Sequence, residues 1–356
     1  MSETNSERDR FVARILANQS PKRQAQTAAM TAMRKVYVPN SNDAELNEAI
    51  DKLLDSVAVE LSLPHERLSG DMTERGGRAL LVEGLAGVGK SVTSQKVLEA
   101  RPEFAPDENG RSTLLRFVAP SPFTVAALGN MLTDRLAYRS TRFIRESKVW
   151  PMVHRLLPEQ GVRILAMDEA QHSDQIEKAD SVKTIENTFK RLMQNSEWPV
   201  WWIFVGLPEI RRFFRDDDSM RRRVTVVEFQ TLSFEQDVQV VRDTVALILQ
   251  AVPGIDGSEL CTDEFVHKLI HATFGAFGIL IEFIQDAVCE CIGSGETTLT
   301  AMHFADVYAA RTGAPDEDNV FLATRFTMIN VGSALYVDDV DDRGIPTGKR
   351  KPKERR

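Results

Sequence analysis

The sequence predicts an α/β fold, in which a five-stranded parallel sheet is followed by a small all-helical domain. Three observations support this prediction. Apolar strand-like runs alternate with helical patterns as far as residue 229, a glycine-rich loop follows the first run, and strand signals stop after residue 232. The chain has 356 residues, more than one hydrophobic core usually organises, so we expect two domains.

Composition and charge narrow the class of protein. No apolar stretch approaches the length of a bilayer span, and the N-terminus MSETNSERDR lacks the apolar core of a signal peptide, so we expect a cytoplasmic protein without a membrane partner. The cysteines Cys261, Cys289 and Cys291 form no C-x-x-C pair and are interpreted as core-packing thiols. With a net charge of −8, any binding to DNA must come from a local basic patch or from assembly.

The N-terminal part of the chain predicts helices of different quality. Residues 1–35 mix acidic and basic side chains and indicate a loosely ordered helix. A firmer helix is expected from Asn42, because Asn42 and Glu45 have the spacing of a capping box. An apolar stripe at helical spacing follows: Leu46, Ile50, Leu53, Val57 and Leu61. We expect this stripe to pack on the domain that begins after a polar linker at residues 64–77.

A phosphate-binding loop follows the apolar strand at residues 79–82. Residues 84–91 fit the pattern G-x-x-x-x-G-K-[ST] without a mismatch. Glycines let backbone N–H groups face phosphate oxygens, and the start of the next helix adds partial positive charge. In this pattern Lys90 reaches the β- and γ-phosphates and Ser91 binds Mg²⁺; the alternative is a glycine-rich turn without a ligand. The predicted nucleotide contacts are Gly84, Leu85, Ala86, Gly87, Val88, Gly89, Lys90, Ser91 and Val92.

After the loop, we expect a helix that ends before Pro102, a strand at residues 114–119 and a long helix that opens near Pro122. The end of this last helix and the segment after it carry four cations: Arg135, Arg139, Arg142 and Arg145. Their spacing places them on one face if the helix continues. Such a run usually means a solvated surface, and contact with DNA phosphates is the alternative. Arg135, Arg139 and Arg142 are the candidate DNA contacts.

The next apolar strand, residues 162–167, ends in an acidic pair. Asp168 and Glu169 follow it directly, at the carboxyl edge of the sheet where the phosphate-binding loop also lies. In this Walker B arrangement Asp168 holds Mg²⁺ through water, and Glu169 acts as the general base on the attacking water. The alternative is a solvated turn that happens to contain two acids.

The remaining strands frame a group of arginines. A helix at residues 182–193 precedes a buried strand at residues 199–206, and three arginines, residues 221–223, precede a fifth strand at residues 224–229. An oligomeric ATPase presents an arginine finger to its neighbour's γ-phosphate at such a position. Contacts with DNA phosphates, or ion pairs with residues 216–218, are the alternatives.

The rest of the chain predicts helices and a tail. Helices are expected at residues 234–252, 262–274, 276–292 and 300–311, with Thr300 as the N-cap of the last. Beyond Gly313 the composition changes, and the chain ends in the basic run GKRKPKERR. This pattern is typical of a disordered segment that serves either solubility or interaction with a partner.

Taken together, the loop, the acidic pair, the arginines before the fifth strand and the helical lid resemble the AAA+ P-loop ATPases. A narrower likeness comes from ILAMDEAQHS at residues 164–173 and FVGLPEIRRFF at residues 204–214, followed by SMRRRV. These runs resemble the D-E-x-Q-H and V-G-T-P-E motifs of the TniB and TnsC proteins, ATPase regulators of DNA transposition related to MuB. The likeness covers residues 36–310.

This resemblance implies an assembly that depends on ATP and Mg²⁺. Copies of the chain would form a ring or helical filament on duplex DNA, mark target sites, work with a target-selection protein, and recruit or stimulate a transposase before hydrolysis dismantles them. It implies Glu169 as the catalytic base and Arg223 as the first candidate for the finger, with Arg222 as the second. The segment Tyr37, Val38 and Pro39 resembles the part that these proteins place near the adenine.

The resemblance also implies four regions: an N-terminal helical extension at residues 1–63, an AAA+ core at 64–230, a helical lid at 231–312 and a C-terminal segment at 313–356.

Two positions depart from the family pattern. Leu207 stands where the family often has Thr, so the polar sensor is lost or moved to Glu209. Residues 275–279 lack the arginine with which many AAA+ lids sense the γ-phosphate. We therefore expect slow hydrolysis or hydrolysis regulated by DNA or a partner. The alternatives to a transposition regulator are a helicase-loader or remodelling ATPase that acts on a protein, and a signalling NTPase that binds no DNA.

Overall fold

The computed structural model describes residues 2–63, 76–138, 140, 142–170, 179–215 and 217–331. The chain divides into two compact units. The sheet unit is Pro39–Gln230, and the helical unit combines Met1–Val38 with Thr231–Arg356. The N-terminal extension predicted at residues 1–63 is thus divided between the two units.

Five parallel strands form the sheet, in the order β2-β3-β4-β1-β5, which confirms the predicted five-stranded parallel sheet. The central strands β1 and β4 are buried along their whole length, because neighbours cover both of their edges and both of their faces. The strand bounds are β1 Ala79–Gly84, β2 Leu114–Val118, β3 Ile164–Asp168, β4 Trp201–Gly206 and β5 Val224–Phe229.

Helices of the sheet unit follow or precede these strands, and those of the helical unit lie at the two ends of the chain. In chain order the helices are α1 Ser2–Ala17, α2 Pro21–Met33, α3 Ser41–Ser62, α4 Lys90–Ala100, α5 Val125–Arg135, α6 Glu146–Gln160, α7 Ala179–Met193, α8 Arg212–Arg215, α9 Asp218–Arg221, α10 Phe234–Gln250, α11 Asp263–Ala272, α12 Phe277–Ser294 and α13 Ala301–Thr312.

The core of the sheet unit is rich in aromatic side chains. Trp202 and Phe204 of β4 stack with ring centroids 5.0 Å apart, and Phe189 of α7 packs edge-on against both rings. Trp202, Phe204 and Phe189 are all fully buried. Large rings fix the spacing between sheet and helices, so this core holds the carboxyl ends of the strands, and the residues that follow them, in place.

The N-terminal helices differ in detail from the prediction. The single loose helix over residues 1–35 is instead two helices, because Ser20 caps α2 and Pro21 occupies its first position. The capping box of α3 starts at Asn40 instead of Asn42: Asn40 Oδ1 accepts from Asn42 N at 2.8 Å, and Asp43 accepts from Asn40 N at 2.8 Å. The two candidate boxes overlap in sequence, and the earlier pair forms.

The helix α5 does not continue through the run of arginines, so the condition for a shared cationic face is not met. The helix ends at Arg135, Ala137 has a φ of 67°, and the next helix begins only at Glu146. Asn130 holds the intervening segment, since its side chain donates to Ile144 O at 2.7 Å and accepts from Ile144 N at 2.8 Å. The arginines of this region therefore do not share one helix face, and Arg139 lies outside the described residues.

In the helical unit, α10 to α13 form the four predicted helices around one core, and Thr300 is the N-cap of α13, as predicted. The N-terminal α2 packs on α12, where Gln26 Nε2 donates to Cys289 O at 2.8 Å. The chain after Gly313 also joins this core, with Val320, Phe321 and Val331 buried. The core of the helical unit therefore includes residues that lie beyond the change in composition at Gly313. The acidic and basic tail falls in residues 332–356, outside the described part.

All three cysteines lie within the described residues and are free thiols. Cys291 is buried and Cys289 is partly buried, but Cys261 is exposed, so the interpretation as a core-packing thiol is wrong for Cys261. Over the described ranges, no single helix combines the length and apolarity needed to cross a membrane; the bent pair of α11 and α12 meets that test only jointly, by length and composition.

Candidate nucleotide site

The phosphate-binding loop depends on glycine at its turns. Gly84, Gly87 and Gly89 have φ values of 155°, 79° and 97°, a region that residues with a Cβ rarely adopt. At Gly84 there is also no room, because an added Cβ would lie 2.7 Å from Phe229 O of β5. Gly89 is the N-cap of α4, so the loop turns its backbone toward the positive end of that helix. This backbone fits a bound phosphate group.

Lys90 lies inside the loop that precedes it. Its ammonium donates to Gly84 O at 2.9 Å and to Leu85 O at 2.8 Å, and the residue is 8% exposed. Burial lowers the pKa of Lys90, whereas the carboxylates of Glu169, Asp168 and Glu209 act in the opposite direction. The predicted phosphate ligand and the predicted acidic pair are therefore close in space, although almost 80 residues separate them in sequence.

A direct contact joins the two predicted metal ligands. Ser91 Oγ donates to Asp168 Oδ1 at 3.0 Å, and Glu169 N donates to the same carboxylate oxygen at 2.8 Å. Ser91 is the second residue of α4 and Asp168 the last residue of β3, so the sheet brings them together. A hydroxyl beside a carboxylate offers the oxygen donors that Mg²⁺ prefers. These residues fit the metal that the sequence predicts.

Glu169 has an unusual backbone conformation. Its φ is 54°, in the left-handed region that a residue with a side chain enters at a cost. The conformation turns the chain sharply after β3 and leaves the side chain partly exposed, near enough to Lys90 to affect its pKa. This backbone strain has no sequence signature. The Gln-His part of the D-E-x-Q-H run, at residues 171 and 172, lies outside the described residues.

Arg135 lines the same cavity as the predicted metal ligands. Together with Ser91, Asp168 and Arg116 it lines a cavity of about 330 Å³ between α4 and the edge strand β2. Arg142 is exposed in the segment between α5 and α6, which also carries Phe143, 68% exposed. The DNA-binding role of Arg135 and Arg142 stays a prediction.

The three arginines before β5 differ in exposure. Arg221 and Arg222 are exposed, and Arg222 Nε donates to Asp218 O at 3.3 Å. Arg223 is only 6% exposed, and its carbonyl accepts from Ala79 N at 2.9 Å, which places it at the start of the β5 ladder. A finger that reaches a neighbouring subunit must extend from the surface. Of the two predicted candidates, Arg222 therefore suits that role, and the buried Arg223 does not.

The remaining predicted residues belong to different parts of the chain. Tyr37 and Val38 belong to the helical unit, where Val38 is 7% exposed and packs in the core, and Pro39 begins the sheet unit. Their role near the adenine stays a prediction. Leu207 follows β4, and Glu209 is exposed in a short 3₁₀ turn that follows Leu207.

In the helical unit, Gly275 lies at a tight turn between α11 and α12. Its φ is 64°, Leu232 N donates to its carbonyl at 2.8 Å, and an added Cβ would lie 2.2 Å from Leu232 O. Gly275 stands near the position where many AAA+ lids have an arginine. Its backbone conformation and the lack of room for a side chain explain why this residue is a glycine.

Sequence reasoning missed an ion pair next to the loop. Glu83, the residue before Gly84, is 1% exposed and is paired with Arg211. The available signal was an acidic residue within an otherwise apolar strand, since a buried carboxylate requires a partner.

The parallel sheet, the glycine loop and the Ser91–Asp168 contact define the AAA+ P-loop ATPase fold. Residues 73–214 match the family described as AAA domain. The protein is accordingly an ATPase, with ATP and Mg²⁺ as its cofactors, as predicted from the sequence.

Solved structures from archaea share this fold. Cdc6p from Pyrobaculum aerophilum has a TM-score of 0.54 and 12% identity, covering 81% of this chain and 75% of its own. The ORC1 protein of Aeropyrum pernix, solved in complex with DNA, has a TM-score of 0.55 and 15% identity, with 79% and 70% covered. The ORC2 protein of the same organism, solved in ADPNP–ADP complexes, gives 0.54 and 10%, with 78% and 70% covered. No curated protein sequence matches the chain.

Proposed function

We propose that this protein is an AAA+ regulator of DNA transposition that assembles on duplex DNA with ATP and is released by hydrolysis. The observation that carries the proposal is the Ser91–Asp168 contact beside Lys90, within a chain that also presents exposed arginines ahead of β5. An ATP site of this kind, completed in trans, makes assembly depend on the nucleotide. The D-E-x-Q-H and V-G-T-P-E resemblances support transposition as the process.

Each residue of the site has a distinct part in the proposed cycle. The loop amides and Lys90 bind the phosphates, and Ser91 and Asp168 hold Mg²⁺, which offsets negative charge on the phosphates when bound. Glu169 orients the attacking water and accepts its proton. Arg222 reaches the γ-phosphate bound to the next subunit. Because Arg222 is exposed and belongs to the same chain as the loop, such contacts join subunits head to tail, as in a ring or filament.

Contact with DNA is assigned to the segment between α5 and α6. Arg142 and Arg145 are exposed there, and two aromatic rings lie on the same segment, Tyr138 at 40% and Phe143 at 68% exposure. Cations and exposed aromatic side chains are the groups with which proteins contact phosphates and bases. In a chain with a net charge of −8, this segment supplies a local cationic surface. The ORC1 protein of A. pernix, which shares the fold, was solved in complex with DNA, and this supports DNA as a partner.

A second candidate function is a helicase-loader or remodelling ATPase whose main partner is a protein. This candidate would use the same ATP site but would assemble on a partner complex instead of bare duplex. In the first proposal the protein partners are a transposase and a target-selection protein. Neither of them is needed for the chain to assemble on bare duplex DNA.

Electron microscopy of the full chain with bare duplex DNA and a non-hydrolysable ATP analogue separates the two candidates. We expect rings or filaments on DNA that are missing when ADP replaces the analogue, and ATP turnover stimulated by the same DNA. If the protein stays dispersed on duplex DNA with every nucleotide, assembly on DNA is refuted and the second candidate is preferred.

The DNA contact has its own test in the salt dependence of binding. Arg142→Ala should reduce the slope of log K against log salt by about one phosphate contact, with nucleotide affinity unchanged. Arg155→Ala is the matched control, because Arg155 is also an exposed arginine of the sheet unit, 61% exposed, in an i,i+4 pair with Glu159 of α6. An equal slope for Arg142→Ala and the control would place the DNA contact elsewhere.

A further inference from the structure

The residue that leads into the phosphate-binding loop is a buried carboxylate. Glu83 is the fifth residue of β1, directly before Gly84, and is 1% exposed. Arg211, in the 3₁₀ turn after β4, binds it in a bidentate way: Nε donates to Oε2 at 2.8 Å and Nη2 donates to Oε1. A fork of this kind fixes orientation as well as charge. The guanidinium of Arg211 therefore fixes the side chain at the end of β1.

A second carboxylate lies beside the first. Glu228 of β5 is in register with Glu83 of β1. Side chains in register on adjacent parallel strands point to the same face about 4.8 Å apart, a distance at which like charges repel. Arg211 Nη2 lies 3.5 Å from Glu228 Oε2, so the same guanidinium bridges both acids. These hydrogen bonds and charges raise the pKa of Arg211, with the Glu83 hydrogen bond as the main cause.

The geometry connects this bridge with phosphate binding. The carbonyl of Gly84, next to Glu83, is one of the two acceptors of the Lys90 ammonium. A shift at the end of β1 therefore moves a contact of Lys90 directly. Two uncompensated carboxylates at this edge would also oppose a triphosphate, because they repel anions at short range.

We propose that Arg211 is a positioning residue for ATP binding: by bridging Glu83 and Glu228 it fixes the start of the phosphate-binding loop and offsets part of the negative charge of these two acids near the triphosphate. Arg211 acts through Glu83 and the loop and does not touch the nucleotide. The proposal concerns the ATPase activity alone and is independent of DNA, assembly and transposition.

The test uses the full-length protein without DNA. The affinity for a fluorescent ATP analogue and the steady-state kcat and KM for ATP are measured well below the melting temperature. For Arg211→Met we expect affinity to fall at least tenfold, with KM rising by a similar factor. Adding Glu83→Gln should restore at least half of the lost affinity on a logarithmic scale, because the double variant no longer buries an unpaired carboxylate.

A structural ion pair elsewhere in the sheet unit supplies the matched control. Arg101 is partly buried, with its side chain 12% exposed, and pairs with Asp51 of α3; its Nη2 donates to Asn47 O at 2.7 Å. Arg101→Met should lower the melting temperature and leave nucleotide affinity unchanged, whereas Arg211→Met should change affinity. If both variants bind the analogue as the wild type does, or if Glu83→Gln restores nothing, the proposal is overturned.

A conservative variant keeps the proposal testable if Arg211→Met does not fold. Arg211→Lys retains the charge but cannot form the bidentate fork. We expect it to fold and to weaken analogue binding at least threefold. Wild-type affinity in Arg211→Lys would show that charge alone suffices and would refute the positioning role.

Discussion

Removing the guanidinium of Arg222 tests the completion of the ATP site by a second subunit. Arg222 is exposed and its Nε donates to Asp218 O at 3.3 Å, so Arg222→Ala should change the free energy of unfolding by less than about 0.5 kcal/mol. An arginine supplied in trans contributes roughly 10³-fold or more to kcat. We therefore expect DNA-stimulated ATP turnover to fall by about that factor while nucleotide still binds.

Mixing two inactive variants gives the decisive measurement. In a head-to-tail assembly each site takes Glu169 from one subunit and Arg222 from the next. A random equal mixture of Arg222→Ala and Glu169→Gln then has about one site in four with both groups intact, so about a quarter of wild-type turnover should return. The assay is phosphate release with saturating DNA, as the ratio of the two variants is varied.

A neighbouring arginine provides the control for this experiment. Arg221 is also exposed and forms an i,i+3 ion pair with Asp218, so Arg221→Ala changes the same surface. We expect Arg221→Ala to retain most of the turnover. Full activity of Arg222→Ala, or a mixture that stays inactive at every ratio, would refute the trans-acting role.

Three further predictions concern the cap of α3, the cysteines and the catalytic base. Asn40→Ala should lower the free energy of unfolding of the sheet unit by about 1 kcal/mol, measured by chemical denaturation, because it removes the N-cap. Brief alkylation of the native protein at neutral pH should label Cys261, which is exposed, and spare Cys291 and Cys289, since burial raises the pKa of Cys289 to about 11; mass spectrometry distinguishes the sites. Glu169→Gln should leave DNA-bound assemblies intact and block phosphate release, and assemblies that disperse at the wild-type rate would contradict the assignment of the base.

The nucleotide site was predictable because its signals are local. The loop pattern specifies a strand, a turn and a helix start within a few residues, and an apolar strand that ends in two acids specifies the second half. Parallel strands bring their carboxyl ends to one edge, so the contact between Ser91 and Asp168 follows once both segments are recognised. The positive φ of Glu169 could not be predicted, since strain at one residue depends on everything packed around it.

The tertiary structure was needed to interpret two groups of arginines, those after α5 and those before β5. The run from Arg135 to Arg145 has helical spacing, but the side chain of Asn130 binds the backbone of Ile144, and the helix has already ended at Arg135. The arginines before β5 look equivalent in sequence, yet Arg223 is buried at the start of the strand and Arg222 is exposed. Exposure is a property of the packed chain, so sequence alone does not separate them.

By itself, the sequence determined the α/β class, the parallel sheet, the helices after the sheet and the residues predicted to meet phosphate and metal. These features depend on short-range chemistry: glycines at positive φ, the period of apolar residues, and polar side chains at strand ends. The tertiary structure alone decided that α2 joins the helical unit, that Arg135 and Asp168 line one cavity and that Arg211 bridges Glu83 and Glu228. Each of these depends on contacts between residues distant in the chain, whose partners are set only when the strands take their order in the sheet and the helices pack.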